Sequence, residues 1–332
     1  MSPPSERRRG GLFATLNFGI QEGIARIAVP LFFVFSGYFL YRKTLLATFS
    51  FAPTKAYAWK LWKLYLLWSL IYLSPCVKMA RNDPGGWVHG LFVYVHRFLV
   101  SGSYLQLWYL NASVFAVLFT SFLLQRRVLV WKILASALVL YGFGVFEQSW
   151  YGIFAHLQEI TPTAWYAQDL VMRVCLTARD GLFFGFLFTS IGMLFAYYEV
   201  KLPRKATFPL FLLSMFLLLA EAFFTQQHHL AKATDMYFSL VPAACFAFLW
   251  IMQVHLPPQP IYQTLRLLST LIFFSHPWVL SRVERILEHV WPSMAKTSLV
   301  FVLTVVATFL LSLLILRLSR HMRLSWLQRL YR

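Results

Sequence analysis

"RIAVPLFFVFSGYFLYRK", residues 26–43, is an apolar run closed by basic residues at both ends, with Pro30, Ser36 and Gly37 in its interior. Its length is close to the roughly twenty residues a helix needs to cross a hydrocarbon core of about 30 Å. Runs of the same kind recur along all 332 residues. Hydrophobic residues make up 59% of the chain and charged ones 13%, where a soluble domain carries about 25% charged residues. There is too little polar surface to face water, so the composition excludes an ordinary soluble domain. It predicts an all-α fold, a polytopic transmembrane helical bundle.

About nine spans are expected, at 24–41, 61–77, 105–124, 128–146, 181–198, 207–225, 236–254, 265–281 and 297–316. Pro30 falls near the start of the first, where a missing N–H costs least. Trp59, Trp62, Trp68, Trp87, Trp108, Trp131 and Trp291 cluster near span ends, as amphipathic rings at headgroup level should. On this division residues 1–23 are a basic N-terminal tail. Residues 24–317 form a single transmembrane domain, and 318–332 form a basic cytoplasmic tail.

The net charge of +18 in a soluble protein would suggest nucleic acid. Here it reads as cytoplasmic loop charge; no basic stripe with a binding motif accompanies it, so membrane lipids rather than nucleic acid are the expected partners. Counting Lys and Arg on alternate sides gives seventeen on the side of the C-terminus and nine opposite, which predicts a cytoplasmic C-terminus. Nine spans then put Arg7, Arg8, Arg9 and Arg26 outside, against the usual habit, as if a further helix preceded this stretch. The three cysteines give neither a metal spacing nor a disulfide framework, although Cys76 and Cys175 both fall in expected external loops. Scattered histidines such as His89, His96 and His229 make no metal motif. No cleavable signal peptide is visible.

"ARIAVPLFFVFSGYFLYRK" (25–43) resembles the second transmembrane helix of the membrane-bound acyltransferase 3 family, with its aromatic run ending in Ser-Gly-Tyr. "YAWKLWKLYLLW" (57–68) is similar to that family's basic entry into its third helix, and "LQLWYLNASVFAVL" (105–118) to its Leu-Trp-Tyr-Leu stretch. "TARDGLFFGFLFTSIGMLFA" (177–196) and "LIFFSHPWVL" (271–280) match later segments in the same order. The resemblance covers about residues 20–320. It implies ten spans with both ends cytoplasmic, in a bacterial cytoplasmic membrane. It also implies transfer of an acyl group, commonly acetyl, from acyl-CoA inside the cell to a hydroxyl of a carbohydrate or lipid-linked acceptor at the outer face. Acyl-CoA is then a co-substrate and no bound cofactor is expected. The family's first helix usually carries an Arg and, about eleven residues later, a His taken as the base. No expected span here holds that pair, so a shortened or decayed enzyme also fits.

The candidate residues follow from chemistry and from this resemblance. Arg42, Lys43, Lys55, Lys60 and Lys63 form a basic cluster that suits the phosphates of coenzyme A or is ordinary positive-inside charge. Ser36 and Gly37 either let a neighbouring helix approach or narrow an acyl-donor tunnel. Ionisable groups in or beside spans are functional candidates by default. Arg179 and Asp180 head the fifth span. Glu221 and His228 fall two turns apart and could relay a proton or hold helices together. With Trp108 and Tyr109, these supply the acceptor-side candidates. His276, followed by Pro277, has the chemistry of a general base; Pro277 frees a carbonyl one turn earlier, and the histidine could satisfy a polar pocket. With Arg179 it makes the catalytic pair expected here. A transporter or exporter, or a catalytically inactive membrane partner, are the competing readings.

Overall fold

A computed structural model describes residues 18–45, 50–160, 162–291 and 298–331, and every regular element among them is helical. The contact pattern divides the chain into two units, each built from two separate stretches: 1–58 with 112–255, and 59–111 with 256–332.

In unit 1, helix α1 (Ala25–Leu45) follows directly on a π-helical turn, Gly19–Ile24. Pro30 is therefore not near a helix start but well inside a continuous rod. The other long elements of the unit are α6 (Val130–Glu147), α9 (Phe186–Tyr198, preceded by a π turn Gly181–Gly185), α10 (Arg204–Gln227) and α11 (Leu240–Ile251), with α7 (Tyr151–Ile160) and α8 (Pro162–Cys175) between. The unit also takes the first turns of α2 (Ala52–Ile71) and most of α5 (Trp108–Gln125).

The crossing of α1 and α9 organises this unit. A Cβ added at Gly37 would lie 2.3 Å from the Thr189 carbonyl oxygen, and one at Gly192 would lie 2.2 Å from that of Val34. Each helix thus seats its backbone in a glycine notch of the other, the close approach that small residues permit where lipid supplies no hydrophobic drive. This is what Gly37 does in the run at 26–43. Aromatic rings fill the space around the crossing: Phe248 lies 4.9 Å from Phe35, 5.1 Å from Tyr38 and 5.3 Å from Phe195, centroid to centroid.

Unit 2 holds the rest of α2, then α3 (Leu73–Arg81), α4 (Gly86–Val100), α12 (Ile261–Val290), α13 (Ser298–Leu318) and a closing 3-10 helix, Met322–Leu330. Its core joins Tyr65, Trp68, Tyr72, Leu107, Leu271 and Phe274 to Leu330 and Tyr331. The expected basic tail is consequently folded in. The Trp68 indole N–H donates to the Leu330 carbonyl at 3.0 Å, and Gln328 donates to that of Ser319. Burial of Leu330 and Tyr331 outweighs the solvation of the few arginines around them.

The described residues contain six helices long and apolar enough to cross a membrane, fewer than the nine expected. Segment 61–77 is divided because Pro75 cannot continue α2 and instead sits in the opening turn of α3. Segment 236–254 contributes only twelve helical residues. Segment 265–281 lies inside a longer helix whose ends are polar.

Candidate functional site

Three chain segments meet at one end of unit 1: the turn leading into α1, the loop before α9, and the loop between α10 and α11. Glu22 and Arg26 are one turn apart on a helix, so their side chains share a face. The Arg26 guanidinium donates to Glu22 Oε2 at 2.8 and 3.1 Å, to Asp235 Oδ1 at 3.1 Å and to Thr234 Oγ1 at 3.0 Å. Arg179 donates to the same Asp235 oxygen at 3.1 Å. The Tyr237 hydroxyl reaches Glu22 Oε2 at 3.4 Å, and burial pushes that phenol up to about 12. One aspartate oxygen thus bridges two guanidinium groups, with a glutamate balancing one of them.

Asp180, next to Arg179, has a different task. Its Oδ1 accepts the amide N–H groups of Leu182 and Phe183 at 2.9 Å each, capping the π turn that opens the α9 segment. Burial nevertheless raises its pKa from 3.8 to about 7, the desolvation of the charged form exceeding the stabilisation from those two donors.

The same α10–α11 loop is pinned twice more. Lys232 Nζ donates to buried Glu147 Oε1 at 2.6 Å, while Gln168 donates to its other oxygen. Glu221 accepts from the Trp150 indole at 2.7 Å, from the amides of Phe238 and Ser239 at 2.9 and 2.8 Å, and from the Ser239 hydroxyl. Both Glu221 oxygens are therefore occupied by the loop. His228 is exposed at the end of α10 and packs on Phe224, with ring centroids 4.5 Å apart. The expected Glu221–His228 relay is not a direct contact: each side chain has its own partners.

At the opposite end of α1, a cavity of about 450 Å³ is lined by Arg42, Tyr38, Glu199, Lys201, Gln253 and His255. Arg42 is the only member of the expected coenzyme A cluster that lines it. Ser36, the residue before the Gly37 notch, accepts the Tyr57 hydroxyl at 3.1 Å. Lys60 and Lys63 are exposed on the unit 2 part of α2, with Lys63 5.8 Å from the centre of the Trp59 ring.

Also in unit 2, Tyr109 meets Phe273 edge to face at 6.1 Å, and Trp108 supplies the backbone on which Gly102 packs. His276 is exposed on α12, its Nδ1 3.1 Å from the Ile272 carbonyl. With Nδ1 as the donor, Nε2 keeps its lone pair, the tautomer a base requires. Beside Pro277, Tyr72 and Gln106 donate to the Phe274 carbonyl at 2.7 and 3.0 Å, and the Trp278 amide donates to Tyr72 at 3.2 Å. His276 borders a largely apolar groove of about 820 Å³ between α12 and α13, beside Glu284 and Thr304. All three cysteines are free thiols.

Of the residues singled out in the sequence, Arg179 enters the ion network, and Glu22, Arg26 and Asp235 complete it without having been marked. The pairing of Glu22 with Arg26 was legible as a one-turn spacing. Asp235 carried no signal of its own, because its partners are 56 and 209 residues away.

The acyltransferase 3 family model, described as an acyltransferase domain, matches residues 4–317. Among curated proteins, an amino-acid racemase of Enterococcus faecalis is 28% identical over 91% of this chain and 42% of its own length. A serine/alanine racemase of Enterococcus gallinarum is 28% identical over 78% of this chain and 36% of its own. The chain thus spans about two fifths of the length of the curated relatives it matches. No solved structure matches it. With a family match over nearly all its residues and several apolar helices of membrane-crossing length, this multi-pass membrane protein belongs to the acyltransferase 3 family.

Proposed function

We propose that the chain is an integral membrane O-acyltransferase. In this reading it moves an acyl group, acetyl foremost, from cytoplasmic acyl-CoA to a hydroxyl of a cell-surface carbohydrate or lipid-linked acceptor in a bacterial cytoplasmic membrane. The observation that carries it is the family match over residues 4–317. The geometry adds two supports. A cavity at the basic end of α1 offers Arg42 and Lys201 to an anionic donor. The imidazole of His276 has Nε2 unengaged among the described residues.

In the reaction so assigned, His276 accepts the proton of the acceptor hydroxyl while the oxygen attacks the thioester carbonyl. The C–S bond breaks and the thiolate of coenzyme A leaves, later taking up a proton. Labelled acetyl-CoA supplied to inside-out vesicles tests this directly. Label should pass to a surface glycan or lipid-linked sugar with the intact chain and fall about 100-fold or more with His276→Ala. Doubly neutralised Arg42 and Lys201 should weaken donor binding. Equal labelling with and without the chain removes the proposal.

The names of the relatives favour one second reading. A region shared with amino-acid racemases would hold or pass a small amino acid, whose carboxylate suits the paired guanidinium groups of Arg26 and Arg179. Accumulation of labelled serine in vesicles, without any acylated product, would select this reading over the first.

A further inference from the structure

Helices α3 and α4 form a tight hairpin in unit 2 whose construction has no counterpart in the chemistry above. A Cβ at Gly90 would fall 2.0 Å from the Ala80 carbonyl oxygen, so the two helices touch backbone to backbone. Between them Asp83 accepts the Gly85 amide at 2.8 Å and holds the His89 Nδ1 at 2.6 Å. Gly86, at φ +88°, makes the left-handed step that a side chain would strain.

Beside this hairpin is a cavity of about 620 Å³, lined among others by Lys78, Asn82, Tyr94, Arg97, Tyr104 and Arg285. Its floor is fixed by hydrogen bonds. Ser69 and Ser103 share one at 2.7 Å, the Ser103 amide donates to Tyr65 at 3.0 Å, and the Cys76 thiol donates to the Ser103 carbonyl. Tyr104 stacks on Tyr72 with centroids 4.3 Å apart.

The charge balance of this cavity is its informative feature. Lys78, Arg97 and Arg285 make no ion pair among the described residues. The one carboxylate in the lining, Asp83, is already engaged by His89 and the Gly85 amide, and the histidine holds it below its ordinary range. Arg26 and Arg179, by contrast, are both paired with Asp235; here three cations from three helices border a volume suited to a small ligand. Guanidinium forks favour carboxylate and phosphate oxygens, which they can grip with two parallel hydrogen bonds. Asn82 and the tyrosine hydroxyls add donors and acceptors for hydroxyl groups, and the tyrosine rings add apolar faces.

We infer that this α3–α4–α12 cavity binds an anionic saccharide, a sugar bearing a carboxylate or phosphate. The inference rests on the proposed acyl transfer only in naming that sugar as part of the acceptor. Lys78, Arg97 and Arg285 all fall in loops that the charge count assigns to the side opposite the C-terminus, so on that expected orientation the cavity opens to the outer face.

The test measures binding, not transfer. The full chain in phosphatidylcholine nanodiscs is titrated with glucuronate, glucose 1-phosphate and glucose, followed by saturation-transfer NMR. Both anionic sugars should bind, with glucose about tenfold weaker or more. Arg97→Gln and Arg285→Gln should each weaken glucuronate binding about tenfold. Arg97→Lys should recover part of the loss, and Arg173→Gln, on exposed α8, should change nothing. A second arm uses phosphatidylglycerol nanodiscs. If the anionic lipid displaces glucuronate, the site takes a lipid headgroup and the inference falls. It falls equally if glucose binds as well as glucuronate, or if the Gln variants bind unchanged. Loss of sugar binding with acyl transfer intact would overturn this inference alone. Binding with no transfer would overturn the proposed function alone.

Discussion

The ion network of unit 1 and the α3–α4 hairpin of unit 2 treat their charges in opposite ways. At the polar end of unit 1, Arg26 and Arg179 share one Asp235 oxygen, Lys232 is bound to Glu147, and Glu221 takes four donors. In unit 2, Lys78, Arg97 and Arg285 border a cavity with no carboxylate free to meet them. The first arrangement holds three chain segments in register, with its charges paired inside the fold. The second leaves charge available, because the hairpin that displays it is tied together by backbone contact at Gly90 and by the Asp83–His89 contact, neither of which uses the three cations. A charged cluster is therefore a better sign of structure when its partners are complete, and of binding when they are missing.

The widest separation between the units should appear with pH. Asp180 is raised to about 7 by burial, so the folded state holds its proton where an unfolded aspartate near 3.8 has released it. Its contribution to stability is full below about pH 4 and declines as pH rises to about 7, by ~4 kcal/mol at most. Asp83 is lowered chiefly by the hydrogen bond from His89, and its contribution is present above about pH 4 and lost below. Hydrogen-exchange protection should thus weaken with rising pH at Leu182 and Phe183 and with falling pH at Gly85. Asp180→Asn should flatten the first slope only. Parallel slopes in the two places would break the comparison.

Next in size is Lys232→Gln, which leaves the Glu147 carboxylate, only 6% exposed, with Gln168 alone. We expect a loss of about 2–3 kcal/mol, moderated by the lysine's own exposure, read as a lower Tm in neutral detergent. Asp235→Asn should cost about 1–2 kcal/mol, since both arginines keep an oxygen to donate to. Arg97→Gln and Arg285→Gln should stay within ~0.5 kcal/mol of the parent. A large drop from either would mean that these cations, too, are structural.

Much of the fold was legible beforehand. Apolar length and aromatic run located α1, α5, α6, α9, α10 and α13 to within a few residues, because the bilayer demands helices of a set length whatever they pack against. Legibility failed at segment 61–77, which Pro75 divides, and at the C-terminal stretch, where Leu330 and Tyr331 find a pocket among Trp68 and Tyr72. Pro277 lies inside a continuous helix, and the polar groups that meet the Phe274 carbonyl beside it are Tyr72 and Gln106. Those partners come from helices distant in sequence, and spacing along one helix gives no view of them.

Composition and local pattern by themselves determined that this chain is an all-helical protein of the lipid bilayer, and the run at 26–43 pointed to its family. Tertiary structure alone decided which charges are neutralised and which remain open. Hydropathy and helical period are properties of neighbouring residues, set by the solvent around them. An ion pair such as Arg26 with Asp235 joins residues 209 positions apart, and only the folded chain brings them within 3.1 Å.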